Sequence, residues 1–183
     1  MKKNHKLIGI AASAGLLVGI VGLAGAPAGA APSGDTTATF TITGGSLDVT
    51  VPATSNFGST PAGAQDFSAS LGTVSVSDTR GSMDASWTAS VTSTDFSTGG
   101  GTPAETVLST GVGYDSGSAT ATTGDGTFTP DGTDNLDPGG DDAFTHVGGT
   151  GVNTASWNPT ITLHLTDQKV VGVYTGTITH SVA

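Results

Sequence analysis

Short runs in which every second residue is apolar fill this sequence after its first thirty residues, and a period of two commits a chain to strands. Thr37 to Thr43 reads T-A-T-F-T-I-T and puts Ala38, Phe40 and Ile42 on one face. Ser46 to Val51 groups Leu47, Val49 and Val51, and Leu71 to Val76 gives another short strand. Trp87, Ala89 and Val91 share a face opposite Thr88, Ser90 and Thr92. Val107 to Tyr114 is a further expected strand. Ile161, Leu163 and Leu165 alternate with Thr160, Thr162, His164 and Thr166. The run Val171 to Val182 aligns Tyr174, Ile178, His180 and Val182 on one side. Thr and Val suit pleated strands, and strong helix formers other than Ala are thin. Turn signals separate the runs at Gly44-Gly45, Pro61-Ala62-Gly63, Asp78 to Gly81 and Gly99-Gly100-Gly101. Many short strands with frequent turns predict an all-β fold, an antiparallel β-sandwich in one domain over residues 31–183. Residues 116–151 read as a long acidic loop rich in Gly, Asp and Thr, with short hairpins around Phe128 and Phe144.

The first thirty residues read as a separate segment. Lys2, Lys3 and Lys6 open it, an apolar run from Leu7 to Leu23 follows, and Ala28-Gly29-Ala30 fits the small-x-small pattern of a cleavage site. This is the layout of a secretory signal peptide, residues 1–30, cut after Ala30. An uncleaved anchor is the rival reading, since the run lies near the lower limit of about 17 residues for a span. Removing the segment leaves Arg80 and Lys169 as the only cations against fifteen acids, so the net charge becomes 2 − 15 = −13. Such a surface repels nucleic acid and anionic lipid, which need clustered Lys and Arg. No other segment is apolar enough for a membrane span. The expected location is secreted, extracellular or wall-associated.

Cysteine is absent, which excludes thiol catalysis, disulfides and Cys-ligated zinc. The Gly-x-Ser-x-Gly elbow, the His-Glu-x-x-His motif and a lysine-bearing phosphate loop are also missing. Asp115-Ser116-Gly117 is a tripeptide of a kind that arises readily in a Ser/Gly/Asp-rich chain. The chain is therefore expected to be no enzyme and to need no cofactor. Asp131, Asp134, Asp137, Asp141 and Asp142 crowd one stretch and are weak calcium candidates, though their spacing matches no EF-hand. Trp87 and Trp157 are the only tryptophans. A flat exposed ring covers the apolar face of a sugar, whereas a buried one anchors a core. Trp87, Trp157, Tyr174 and His180 are the ligand-binding candidates.

An ordered series of segments carries a family resemblance. Leu47-Asp-Val-Thr-Val-Pro52 is followed by Asn56-Phe57-Gly58, Val76-Ser-Asp78-Thr-Arg80-Gly81, Ser86-Trp87-Thr88-Ala89-Ser90-Val91 and Asp95-Phe96. Gly172-Val-Tyr174-Thr-Gly176-Thr-Ile178-Thr closes it. The series resembles the WxL-domain family of bacterial cell-surface proteins. That resemblance implies a secreted β-domain attached non-covalently to the cell wall, with peptidoglycan as ligand. Both Trp-x-Leu motifs of the family are altered: Trp87-Thr88-Ala89 has Ala for Leu, and His180-Ser181-Val182 stands where the second motif is expected. Expected partners are cell-wall glycan or other surface proteins. The alternative is a secreted structural or matrix protein without a specific small ligand.

Overall fold

The computed structural model describes residues 33–166 and 168–183, and the signal segment 1–30 lies outside them. The chain divides into two units, Met1–Phe40 and Thr41–Ala183. The described part of the first, residues 33–40, is exposed and carries no strand or helix.

Among the described residues the second unit carries fourteen strands. In chain order they are β1 (Leu47–Thr50), β2 (Asp66–Ser70), β3 (Val74–Ser82), β4 (Trp87–Ser93), β5 (Phe96–Ser97), β6 (Thr106–Val107) and β7 (Val112–Asp115). Then follow β8 (Ala121–Thr123), β9 (Thr127–Pro130), β10 (Gly132–Thr133), β11 (Asp141–Val147), β12 (Gly151–Trp157), β13 (Thr160–His164) and β14 (Ile178–Val182). Three antiparallel four-stranded sheets result, ordered β1-β3-β12-β8, β10-β7-β13-β2 and β14-β4-β11-β9, with β5 and β6 as a small ribbon.

The first two sheets face the third. Val74, Val76, Ala155 and Trp157 of the first pack on Trp87, Ala89 and Phe144 of the third. Val112, Tyr114, Ile161 and Leu163 of the second pack on Val91 and Ala143 of the same third sheet. β12 runs into β13 across Asn158-Pro159, so one chain segment joins the two sheets of a layer. This is an antiparallel β-sandwich, and alternation sets its faces: in β4 the sequence WTASVTS buries Trp87, Ala89 and Val91 in turn.

Several expectations change, among them the strand over Val107 to Tyr114, which a 3-10 turn at Ser109–Gly111 splits into β6 and β7. Residues 116–151 carry β8 to β11 and the first residue of β12, in place of a long loop. The two expected hairpins are one pairing, in which Phe128 lies opposite His146 and Phe144 opposite Pro130. The strand expected over Thr37 to Thr43 forms no ladder, and Phe40 and Ile42 are 88% and 82% exposed. Gly44 and Gly45 do not turn back; Gly45 N–H donates to the Thr79 carbonyl at 2.7 Å, and Gly44 lies so close to the Arg80 carbonyl that a Cβ would stand 2.4 Å from it. The final run is a strand only from Ile178; its earlier half meets the fold through the Thr175–Ser97 bridge, the bond of Thr94 N–H to the Thr177 carbonyl and the Tyr174 hydroxyl.

Candidate functional site

Both tryptophans lie in the core, at 3% (Trp87) and 0% (Trp157) exposure, so neither offers a ring face to a sugar. Trp87 stacks on Phe144 at 6.3 Å and Trp157 on the same ring at 4.7 Å. Each indole N–H needs an acceptor inside the core. Trp87 Nε1 donates to Asn153 Oδ1 at 2.7 Å, and Asn153 Nδ2 donates to Asp78 Oδ2 at 3.3 Å. Asp78 is fully buried and takes a two-pronged contact from Arg80, Nε to Oδ1 at 3.0 Å and Nη2 to Oδ2 at 2.8 Å. Those bonds from Arg80 hold the Asp78 carboxyl below its ordinary range. Asp78→Ala removes both carboxylate bonds of the Arg80 guanidinium and one bond of the Asn153 amide, leaving them the Ser86 and Ala85 carbonyls. The expected loss is about 2 kcal/mol, because Arg80 keeps part of its hydration; a urea midpoint unchanged from wild type would contradict it.

His180 is buried as well, and is likewise not a surface ligand group. Trp157 Nε1 donates to Tyr114 Oη at 2.9 Å, and Tyr114 Oη lies 2.9 Å from His180 Nε2. The Tyr114 hydroxyl and His180 Nε2 share this hydrogen bond, and the imidazole tautomer sets which of them donates. His180 Nδ1 is buried without a hydrogen-bond partner among the described residues. Tyr174 is half-buried, and its hydroxyl donates to the Val170 carbonyl at 2.9 Å, with the Ala104 carbonyl as alternative acceptor at 3.1 Å. It ties residues 170–174 to the β5–β6 connection.

Tyr174 also lines a cleft of about 730 Å³ on the open side of the sandwich, between loop 52–64 and residues 169–178. Its floor is apolar, with Phe57, Phe67, Leu71 and Ile178 packed on the core. Phe57 reaches in from the loop to meet Phe96 at 6.3 Å. Lys169 closes one end, its ammonium donating to the carbonyl oxygens of Pro103 and Thr106.

A second depression, a trough of about 660 Å³, lies on the outer face of the second sheet. Because Ile161 and Leu163 face inward, Thr162 and His164 face out, as their alternation predicts. Val112 and Tyr114 likewise leave Gly113 on the outer face, and a Cβ there would stand 3.0 Å from the Asp134 carbonyl and 3.5 Å from His164 Nε2. The missing side chain lets the 131–134 connection fold over the sheet, which is the role of a glycine inside a strand. Asp115, Asp131, Asp134 and Thr133 line the trough around Thr162 and His164. His164 Nδ1 pairs with Asp66 at 2.8 Å and Nε2 with the Asp134 carbonyl at 2.9 Å. The Asp66 bond raises the His164 pKa above its ordinary value.

The five aspartates proposed for calcium separate. Asp131 and Asp134 line the trough, Asp141 Oδ2 accepts from Asp137 N–H at 2.6 Å in the turn before β11, and Asp142 is exposed. Asp141 and Asp142 are successive strand residues and so point to opposite faces. Among the described residues no three acidic or histidine side chains gather to hold a metal ion. Among them, too, no helix is long and apolar enough to cross a membrane. No known protein family, curated protein or solved structure matches the chain.

Proposed function

We propose that this chain is an exported, non-catalytic domain of the bacterial cell surface that associates non-covalently with cell-wall peptidoglycan through the trough of the second sheet. The observation that carries this reading is the trough itself. It is open and polar, lined with carboxylates, threonine hydroxyls and one imidazole, while the apolar side chains of the same strands face the core. Carboxylates and hydroxyls bond the hydroxyl and amide groups of a glycan, and the negative charge suits the amino groups of wall peptides. The signal-like leader and the resemblance to WxL domains point the same way. Within that resemblance Trp87 and His180 serve the interior, so wall contact falls to the outer faces.

A non-catalytic role is supported by the histidines. A His–Asp pair exists at His164–Asp66, but its second nitrogen meets a carbonyl oxygen and not a hydroxyl nucleophile. His146 faces two carbonyl oxygens, those of Ala85 and Asp125, each at 2.9 Å.

Co-sedimentation with isolated cell walls tests the reading. The protein is expected in the wall pellet well above an unrelated acidic β-protein. Thr162→Lys fills the trough with a long side chain and is expected to weaken binding by about tenfold, near 1.4 kcal/mol, with an unchanged circular dichroism spectrum. Equal pelleting of the protein and the control sinks the reading.

A further inference from the structure

The described residues include an alternating segment that joins no sheet and an open apolar cleft. Thr37 to Thr43 keeps strict alternation, yet it pairs with nothing among the described residues and leaves Phe40 and Ile42 in solvent. At the cleft, Val171 to Val173 run without a ladder partner among the described residues, and Val171 and Val173 are exposed beside the apolar floor. We propose that residues 37–43 of a second copy lie along Val171 to Val173 as an added strand and place Phe40 and Ile42 in this cleft.

The chemistry of the two parts matches. Strand addition needs an extended segment to supply alternate anchors and an acceptor with unused main-chain groups beside an apolar pocket. Phe40 and Ile42 point to the same side, about 7 Å apart at a rise of about 3.4 Å per residue. Their intervening threonines face outward, where they remain hydrated. The cleft offers apolar anchorage along its floor, with Phe57 against Phe96 and with Phe67 and Leu71 packed on the core. No acidic side chain lines the cleft among the described residues, and Lys169 stands at its end. This makes it an accessible place for a copy of so acidic a chain to dock without facing like charge.

The acceptor belongs to another copy because of where the two parts join the sandwich. The lead enters at Ser46, beside Thr79, and the cleft opens at Pro52, so they sit at opposite ends of β1. A contact between different surfaces of two copies is head-to-tail, and unless the rotation closes it continues into a row. The trough plays no part, so the proposal stands apart from wall binding.

The absence of cysteine makes the test clean. Full chains carrying single substitutions, Ile42→Cys and Val173→Cys, are mixed and oxidised mildly. The expected result is a covalent heterodimer at least tenfold more abundant than in a mixture of Ile42→Cys with Ser118→Cys, whose cysteine lies at the trough. An excess of a synthetic peptide of residues 36–44 is expected to suppress it, and Phe40→Asp in the Ile42→Cys chain to abolish it. Equal cross-linking to both positions, or cross-linking indifferent to Phe40→Asp, overturns the proposal. Thermal melting of each variant confirms that the sandwich is intact. Val173 is exposed and Phe40 lies outside the sheets, so both changes leave the core untouched.

Discussion

Trp157→Ala is expected to remove about 3–5 kcal/mol of stability, the largest effect of any single truncation in this fold. The ring is fully buried at the point where β12 passes into β13, so it packs where the two sheets of one layer meet. It stacks on Phe144 at 4.7 Å with an interplanar angle of 23°. It also donates the hydrogen bond that fixes the Tyr114 hydroxyl. Alanine opens a cavity that the surrounding strands cannot close, because Trp157 is held opposite Val74 in the β12–β3 ladder. Domains of this size have a total stability of about 5–15 kcal/mol, so the variant lies near the edge of folding. Trp157→Phe keeps an aromatic ring against Phe144 and gives up the N–H, and is expected to cost about 1–2 kcal/mol. Urea unfolding reads both; a Trp157→Ala midpoint within experimental scatter of wild type would mean the ring is not the keystone its burial suggests.

Sequence alternation revealed the faces of strands well and their partners poorly. β1, β4 and β13 lie where the alternation of Leu47, Trp87 and Ile161 puts them, although Val51 falls outside β1 and is exposed. β12 was hidden because its inward residues, Asn153, Ala155 and Trp157, include a polar one that only the Asp78 network makes buriable. β11 was obscured by its neighbours: glycines and aspartates flank Phe144 and hide a strand at the centre of a sheet. Thr37 to Thr43 failed in the opposite sense, since a perfect alternation states which side is apolar but not that an edge is available. The same distinction governs the sites. Trp87, Trp157 and His180 stood out by residue type, yet their rings fill the core. The trough was legible only in part: the outward Thr162 and His164 follow from pattern, and the one further signal was Gly113 between Val112 and Tyr114. That Asp134 reaches His164 and Asp131 lines the same trough depends on pairings distant in sequence, which periodicity does not encode.

Acidification is expected to loosen the fold before any carboxylate of the core is protonated. Burial pushes the His180 imidazole down to about 4 from 6.5. Between those values the unfolded chain takes up a proton that the folded chain refuses, so stability is complete above pH 6.5 and falls as the pH drops towards 4. A difference of about 2.5 pH units amounts to about 3 kcal/mol, of which about 2 kcal/mol is already gone at pH 5. That corresponds to a fall in Tm of about 4–8 °C between pH 7 and pH 5. The cause is local: burial penalises the charged imidazolium, and the Tyr114 hydroxyl beside it, whose pKa is pushed up to about 12 by burial, stays neutral and supplies no countercharge. Two other groups act elsewhere. His164, raised by its bond to Asp66, stabilises the fold at low pH and loses that contribution as pH rises through its raised value; the pair is exposed and contributes less than about 1 kcal/mol. Asp78, lowered by Arg80, loses its contribution only as pH falls through a value under 3.8. His180→Gln isolates the effect, since its amide offers Tyr114 a donor or an acceptor but takes no proton in this range. Its melting temperature is expected to stay nearly level from pH 7 to pH 5 while the wild type falls. An equal fall in both proteins would place the acid sensitivity in some other group, and the chain from Trp157 through Tyr114 to His180 would then be a packing feature without a role in titration.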